Sequence, residues 1–382
     1  MSSTESGYSR KNPFPAKLSV NRKLTGEGSN KETRHFEIEL NGSGLAYEVG
    51  DSLGVFASNN PTLVELVLKE LGFSGEEMIT TADGAPASMR EALTKSFILT
   101  EPSKQLLLAI SERDATGAHL ANLFVPEEKG ALEKFLWGRD VLDVLQEFPA
   151  ARFSPEEFVK VLRKLQPRLY SIASSQRAVG DSVHLTIAVV RFHVAHSERE
   201  REGVCSSFLA ERASAGSVPV FVHTAKHFRV PEDSDAPVIM VGPGTGIAPF
   251  RAFLQERHAT GAKGPNWVFF GEQKASTDFL YQSEFEAALE SGILTKLTTA
   301  FSRDQAEKIY VQHRMLENGA EIFEWLQRGG FFYVCGDAKH MAKDVDSALH
   351  TIAEKHGNMT HEKAKEYVEN LKKEKRYRKD VY

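Results

Sequence analysis

Cysteine is nearly missing from this chain of 382 residues, with Cys205 and Cys335 the only two. That excludes a disulfide framework and a cysteine metal cluster, so no metal is expected, and it fits a reducing, cytoplasmic compartment. No run approaches the roughly 18 uninterrupted apolar residues of a membrane-spanning helix, so no membrane partner is expected. Long blocks of like charge are absent too: 47 Lys and Arg stand against 52 Asp and Glu, for a formal net charge of -5. A general nucleic-acid footprint and a polybasic membrane patch are thereby excluded. Internal repeats and low-complexity segments do not occur. The opening MSSTESGYSRKN lacks the apolar core of a secretory signal, and residues 1–14 are expected to form a disordered tail.

What is present belongs to an ordinary globular protein, 41% apolar and 26% charged. At about 150 residues per domain the length allows two domains and an insertion. Alternation in Ala16-Lys17-Leu18-Ser19-Val20 and in His35-Phe36-Glu37-Ile38-Glu39-Leu40 has the period of half-buried strands. Residues 50–54 read as a turn, and Asn60 before Pro61 supplies an N-cap with a preorganised first helical residue. Helical spacing then dominates to about residue 165, ending in a capping box of Ser154 and Glu157 with Pro155 between them.

Strands resume with Val183-His184-Leu185-Thr186-Ile187-Ala188-Val189 and Val218-Pro219-Val220-Phe221-Val222. Residues 15–60 and 166–230 are therefore expected to form one antiparallel β-barrel interrupted by a helical insertion, residues 61–165. From residue 231 to 382, apolar strands such as Val238-Ile239-Met240-Val241, Trp267-Val268-Phe269-Phe270 and Phe331-Phe332-Tyr333-Val334 alternate with helices. This is the rhythm of a parallel-sheet α/β domain.

Four tracts carry candidate chemistry. Gly242-Pro243-Gly244-Thr245-Gly246 lies between a strand and the helix of residues 248–257, where backbone amides and the helix dipole favour a diphosphate; the same glycines also serve simple helix-on-strand packing. Ser302-Arg303-Asp304-Gln305-Ala306-Glu307-Lys308-Ile309-Tyr310-Val311-Gln312 gathers hydroxyl, guanidinium and ammonium groups suited to a 2'-phosphate. An NAD site would place an acid on the ribose instead, and Glu272 is the candidate for it. Cys335 sits before Gly336-Asp337 at the carboxyl edge of the expected parallel sheet, either as a small buried hydrophobe or beside a ligand. Arg168-Leu169-Tyr170-Ser171-Ile172-Ala173-Ser174-Ser175 and Gly203-Val204-Cys205-Ser206-Ser207-Phe208-Leu209 read as serine-rich turns, although an arginine fork can clamp a diphosphate and a tyrosine can lie on a flat ring.

Taken in order, RLYSIASS, GVCSSFL, GPGTGIAPFRAFL, SRDQAEKIYVQ, YVCGDAKHMAKDV and the final RYRKDVY resemble the ferredoxin-reductase module of the diflavin reductases. That family includes NADPH-cytochrome reductases and the flavoprotein subunits of assimilatory NADPH-sulfite reductase. The similarity runs from about Pro13 to Tyr382. It implies an FAD-containing, NADPH-dependent electron-transfer reductase. By that resemblance Arg168 binds the FAD diphosphate, Tyr170 stacks on the isoalloxazine, Ser171 sits near flavin N5 and Leu169 lines the same turn. Thr186, Ala188 and Phe192 match the strand beside flavin and adenine, and Gly203, Val204, Cys205 and Ser206 match the diphosphate loop.

On the nucleotide side the resemblance implies that Ser302, Arg303, Lys308, Tyr310 and Gln312 grip the 2'-phosphate, that Asp344 accompanies them, and that Gly244 and Thr245 face the diphosphate. It places Cys335 and Asp380 beside the nicotinamide and Tyr382 over the flavin, making Ser171, Cys335, Asp380 and Tyr382 the expected catalytic group. Cys205 departs from the small residue common at its position. Family members of the sulfite-reductase kind also carry an amino-terminal flavodoxin-like FMN domain, which this chain is expected to lack. Electrons are therefore expected to go to a sulfite reductase haemoprotein or to a flavodoxin or FMN protein. The alternatives are a free-standing NADPH reductase for flavodoxin or ferredoxin, and a flavin- and NADPH-binding regulatory module.

Overall fold

The computed structural model describes residues 7–81 and 84–382. In chain order the strands are β1 (Phe14–Lys23), β2 (Glu32–Glu39), β3 (Ser52–Val55), β4 (Met78–Thr80), β5 (Pro86–Ser88), β6 (Arg168–Ser171), β7 (Ser182–Val189), β8 (Arg191–Val194), β9 (Ser197–Glu202), β10 (Val218–His223), β11 (Val238–Val241), β12 (Asn266–Glu272), β13 (Lys296–Phe301), β14 (Phe331–Gly336) and β15 (Tyr377–Val381). The chain divides into two compact units. One takes the described residues up to Val55 together with Leu169–Ala188 and Gly216–Tyr382; the other takes Phe56–Arg168 and Val189–Ala215.

Within the first unit, strands far apart in sequence join in the order β6-β3-β10-β1-β2-β7. β1 runs antiparallel to both β10 and β2, and β10 antiparallel to β3. The two ends of that order meet, because Ile172 bridges to Leu185 and the Ala173 amide donates to the His184 carbonyl at 2.8 Å. Closure turns the sheet into a barrel, with Phe36, Ile38, Leu53, Val55, Val183, Leu185 and Val220 buried. The turn expected over residues 50–54 is shorter than the sequence suggests, since Ser52 already begins β3. Gly50, at φ +93, makes the turn, whereas Gly54 is strand. A Cβ on Gly54 would stand 2.2 Å from the Phe221 ring, so its role is close packing against β10.

The same unit holds the parallel sheet, ordered β13-β12-β11-β14-β15. All four pairings are parallel. β11 and β12 are buried throughout, as a strand covered on both faces requires. Two apolar layers flank the sheet, one around Ile239, Trp267, Ile322 and Leu349, the other around Met240, Val268, Phe250 and Phe253. Arg251, in the helix Ala248–Ala259, donates to the Ala173 carbonyl at 2.7 Å and so ties this layer to the barrel.

The second unit is mainly helical, with one core built from residues such as Val67, Leu93, Leu107, Ile110, Val144 and Phe158. Both sequence caps are present. Asn60 accepts from the Thr62 amide ahead of helix Pro61–Leu71, and Ser154 and Glu157 form a reciprocal capping box at helix Pro155–Lys160. Inside this stretch β4 and β5 pair as a small hairpin, an interruption that helical periodicity did not reveal. β8 and β9 pair with each other as a separate two-stranded sheet. The expected tail falls partly on residues 1–6, outside the described residues; Ser9 and Asn12 bridge, and Phe14 already begins β1.

Candidate functional site

Because the strands of the second sheet are parallel, their carboxyl ends lie along one edge, and the tracts singled out by sequence are the segments that leave that edge. β11 runs into Gly242, β12 ends at Glu272, β13 is followed by Ser302 and Arg303, and β14 carries Cys335 and Gly336. A cavity of about 610 Å³ opens there, lined among others by Gly244, Ser302, Arg303, Lys308, Tyr310, Gln312 and Asp344. The structure thus brings together all six residues expected around a 2'-phosphate and the glycine expected at the diphosphate. Gly244 has φ +57, and a Cβ on Gly246 would stand 2.1 Å from the Cys335 carbonyl oxygen. The glycine turn therefore both bends in the left-handed region and lies against β14. Gln312 donates to Asp344 at 3.1 Å, and the Ser302 amide to the Glu272 carbonyl at 2.9 Å.

One lining residue escaped the sequence. Lys31, in the turn between β1 and β2, holds Glu272 through Nζ at 2.8 and 2.9 Å from the two carboxylate oxygens. The Glu272 side chain is 4% exposed, and its Oε1 lies 3.4 Å from where a Cβ would stand on Gly244. The acid that could have read a ribose hydroxyl is therefore already neutralised from the barrel. With Arg303 and Lys308 on the same wall, the cavity fits an anionic nucleotide. No residue spacing encodes this pair, since its members are 241 positions apart.

At the neighbouring end of the sheet, β15 pairs with β14 so that Cys335 stands opposite Asp380. Ser171, at the end of barrel strand β6, donates to Asp380 Oδ2 at 2.7 Å, and the Cys335 thiol points at the same oxygen from 3.9 Å. Cys335 is fully buried, and that burial, reinforced by the Asp380 charge, pushes its pKa well above the usual thiol value. It is held as a neutral thiol. Tyr382 remains 63% exposed, its hydroxyl 3.2 Å from Thr245 Oγ1. Ser171, Cys335, Asp380, Tyr382 and Thr245 thus form one neighbourhood.

The expected flavin residues distribute unevenly. In the first unit Tyr170 is half-buried, Leu169 is 45% exposed and Ala188 is exposed. Thr186 is buried and its hydroxyl is 2.7 Å from the Tyr281 hydroxyl, so its side chain is committed to the interior. In the second unit Arg168 is exposed. There Gly203 donates from its amide to the Val190 carbonyl at 3.0 Å and heads the helical turn Val204–Ser207. A Cβ on Gly203 would stand 2.7 Å from Ser206 Oγ and 3.0 Å from Val190 Cβ, so close packing of this turn requires the glycine. Cys205 is half-buried, and Phe192 packs its ring against Trp137.

A buried polar network lies between barrel and helix Ala248–Ala259. His35, Glu37 and His184 bring three possible metal-ligating atoms within 4.8 Å of one another. Arg251 donates to His184 Nδ1 at 3.3 Å, which leaves the proton on Nε2 facing Glu37 and sets a cation against the cluster. His35 bonds Tyr281 through Nδ1 at 2.9 Å and Glu37 through Nε2 at 3.1 Å. Burial, together with Arg251, holds both histidines down at about pKa 4, and burial pushes Tyr281 up to about 12. The two histidines are thus neutral and hydrogen-bonded, with a guanidinium set against them, a setting ill suited to a metal ion.

A closed barrel joined to a parallel sheet whose carboxyl edge holds a nucleotide-sized cavity defines the ferredoxin-NADP reductase-like class of flavin- and pyridine-nucleotide-dependent oxidoreductases. The model of the FAD binding domain matches residues 6–208 and that of the oxidoreductase NAD-binding domain matches residues 240–347. The chain belongs to the FAD-binding-domain family. Among curated proteins, the sulfite reductase [NADPH] flavoprotein alpha-component of Bacillus subtilis (strain 168) is 50% identical over 380 residues, 99% of this chain and 62% of the relative. Proteins of the same name from Aliivibrio fischeri (strain ATCC 700601 / ES114) and Vibrio cholerae serotype O1 (strain ATCC 39315 / El Tor Inaba N16961) are each 47% identical, over 99% of this chain and 61% of theirs. The chain thus spans about three fifths of the length of these relatives. Among the described residues no helix is long and apolar enough to cross a membrane.

Proposed function

We propose that this chain is an NADPH-oxidising flavoprotein reductase that works in the cytoplasm as the flavoprotein part of an assimilatory sulfite reductase, passing electrons onward to a haemoprotein. NADPH supplies a hydride, and FAD is the acceptor that can release electrons one at a time. The observation carrying this reading is the meeting of Ser171, Cys335 and Asp380 at one carboxylate oxygen, where a barrel turn abuts the parallel sheet. Ser171 holds its hydroxyl proton on Asp380 and can re-aim it as charge develops nearby. Asp380 positions both the hydroxyl and the thiol. The neutral Cys335 offers a soft, uncharged wall that does not compete as a nucleophile.

Arg168, Leu169, Tyr170 and Ser171, with Ala188, Phe192 and residues 203–206, would hold FAD, and Thr186 would contribute through its strand rather than its buried hydroxyl. Gly244, Thr245, Ser302, Arg303, Lys308, Tyr310, Gln312 and Asp344 would hold NADPH. We assign residues 15–60 and 166–230 to the flavin barrel, 61–165 to the insertion and 231–382 to the nucleotide domain. The names and high identity of the relatives support this reading. Anaerobic stopped-flow mixing with NADPH tests it: Ser171→Ala should slow flavin bleaching by about 10²-fold while FAD stays bound. Unchanged bleaching would remove Ser171 from the reaction. A protein that takes up FAD yet reduces no ferricyanide with NADPH would refute the activity itself.

A further inference from the structure

β15 carries Asp380, and Tyr382 follows the strand directly, so two of the residues proposed for the reaction hang on one short element. That element is weakly placed. It stands last in the sheet order, paired with β14, and Arg378, Lys379 and Asp380 occupy its middle. Main-chain bonds to one neighbour and little apolar burial put an edge strand at the low-stability end of a fold. Register with β14 gives it two faces: Arg378 and Asp380 lie beside Tyr333 and Cys335, whereas Tyr377 and Lys379 lie beside Phe332 and Val334 on the other side. Whatever grips the second face fixes the first.

The grip comes from Asp346, in the helix Met341–His356. Its Oδ1 accepts from the Tyr377 hydroxyl at 3.0 Å and from Lys379 Nζ at 2.8 Å, the two alternate residues of the second face. Lys372 Nζ, from the helix His361–Lys373, stands 3.4 Å from the same oxygen, and His350 Nε2 stands 3.4 Å from Oδ2. Burial works against the Asp346 charge, but the Lys379 and Lys372 ammoniums and the Tyr377 hydroxyl outweigh it and hold its pKa below the ordinary carboxylate value. Burial, with the Asp346 charge, pushes the Tyr377 phenol far up, so it stays a donor. Isolated exposed ion pairs contribute little, whereas a half-buried carboxylate shared by several donors makes a network. One oxygen thus ties two helices to the strand, through the residue next to Asp380.

We propose that Asp346 is a positioning residue for the reaction, acting through β15 to keep the Asp380 carboxylate where Ser171 and Cys335 meet it. The inference rests on the reading of Ser171, Cys335 and Asp380 as the reacting neighbourhood. Without the Asp346 charge, the ammoniums of Lys372 and Lys379, gathered on one oxygen, face each other uncompensated and push the strand away. Asp380 then moves with its neighbour, while the cavity residues Arg303 and Lys308, which sit on a different segment, keep their places. The loss therefore falls on the chemical step and spares nucleotide binding.

The test is anaerobic stopped-flow mixing of the full, FAD-loaded chain with NADPH. In Asp346→Asn the maximal rate of flavin bleaching should fall roughly tenfold, since small displacements of a positioned group cost rates of this order. The NADPH concentration for half that rate should stay within about twofold, and Asp346→Glu, which keeps the charge, should recover most of the rate. Added to Asp380→Asn, the Asp346→Asn change should slow bleaching no further, because its effect passes through Asp380. Should Asp346→Asn fail to fold, Lys379→Gln, which opens the grip from the strand side and leaves Lys372 on Asp346, carries the same expectations. A full bleaching rate in the folded variant, even with a lowered melting temperature, overturns the proposal, as that is what a merely stabilising contact gives. Effects that multiply in the double variant overturn it too. An Asp380→Asn chain that bleaches like the native protein sinks the underlying reading of the site, a result the single variant reveals before any change at Asp346.

Discussion

Lys31→Met keeps an apolar stem of similar length and deletes the charge that faces Glu272. In the native protein the lysine nitrogen sits 2.8 and 2.9 Å from the two carboxylate oxygens, and the carboxylate is almost wholly buried beside Gly244. Without Lys31 that negative charge would face the diphosphate proposed to lie at Gly244. A unit charge about 6 Å away, at an effective dielectric of about 40, is repelled by roughly 1.4 kcal/mol, or about tenfold in affinity. In steady-state ferricyanide reduction KM for NADPH should therefore rise about tenfold, with kcat within about twofold, because ground state and transition state lose the same interaction. Added salt should shrink the defect. The double variant carrying Glu272→Gln as well should recover near-native KM, since it leaves no charge to cancel. If the double variant is as weak as Lys31→Met alone, the lysine acts by touching the nucleotide itself and the neutralisation argument is wrong.

Arg303→Ala should raise KM for NADPH by about 10²-fold and that for NADH by less than about threefold, because a guanidinium is selective only where the extra phosphate exists; equal losses would reject the cavity as the 2'-phosphate site. Tyr382→Ala, which removes an exposed ring next to Thr245, should lower the NADPH to NADH ratio of kcat/KM about tenfold, and an unaltered ratio would show that the ring does not gate the site. The buried histidines give a pH dependence of stability. His35 and His184 have pKa values near 4 in the fold, under the influence of burial, Arg251 and Arg22 and against Glu37 and Glu284, whereas in the unfolded chain they titrate near 6.5. The unfolded chain then binds more protons between these values, so stability is complete above about pH 6.5 and falls as pH drops toward 4, by roughly 3 kcal/mol for one such group. Thermal melting from neutral pH to about pH 4.5 should show this slope, and His35→Gln should flatten it; an identical slope in the variant would place the proton uptake elsewhere.

Much of the cavity at the carboxyl edge of the parallel sheet was legible because its parts sit at strand ends. A glycine turn after Val241 and a basic tract after β13 must converge once the strands are parallel, and parallel strands follow from apolar runs separated by helices. The closing strand was not legible by pattern. Tyr377–Val381 carries Arg378, Lys379 and Asp380 where an interior strand would be apolar, because β15 lies at the sheet edge and its lysine is satisfied by Asp346 at 2.8 Å. Only the family resemblance marked Asp380. The position of Thr186 shows the reverse: alternation made it a strand residue, but not which face would meet the Tyr281 hydroxyl.

The amino-acid sequence alone determined the local pieces: the caps at Asn60 and Ser154, the alternating strands of the barrel, the apolar strands of the parallel sheet, and the glycine and serine turns that can receive phosphate. Each depends on neighbours within a turn or a pleat, so a few residues suffice to specify it. The tertiary structure decided the partnerships: Lys31 with Glu272, Ser171 with Asp380, Arg251 with His184, and Trp137 upon Phe192. Those are contacts between segments far apart along the chain, and their register is set by how the barrel closes and how the sheets pack, which no periodicity along the chain records.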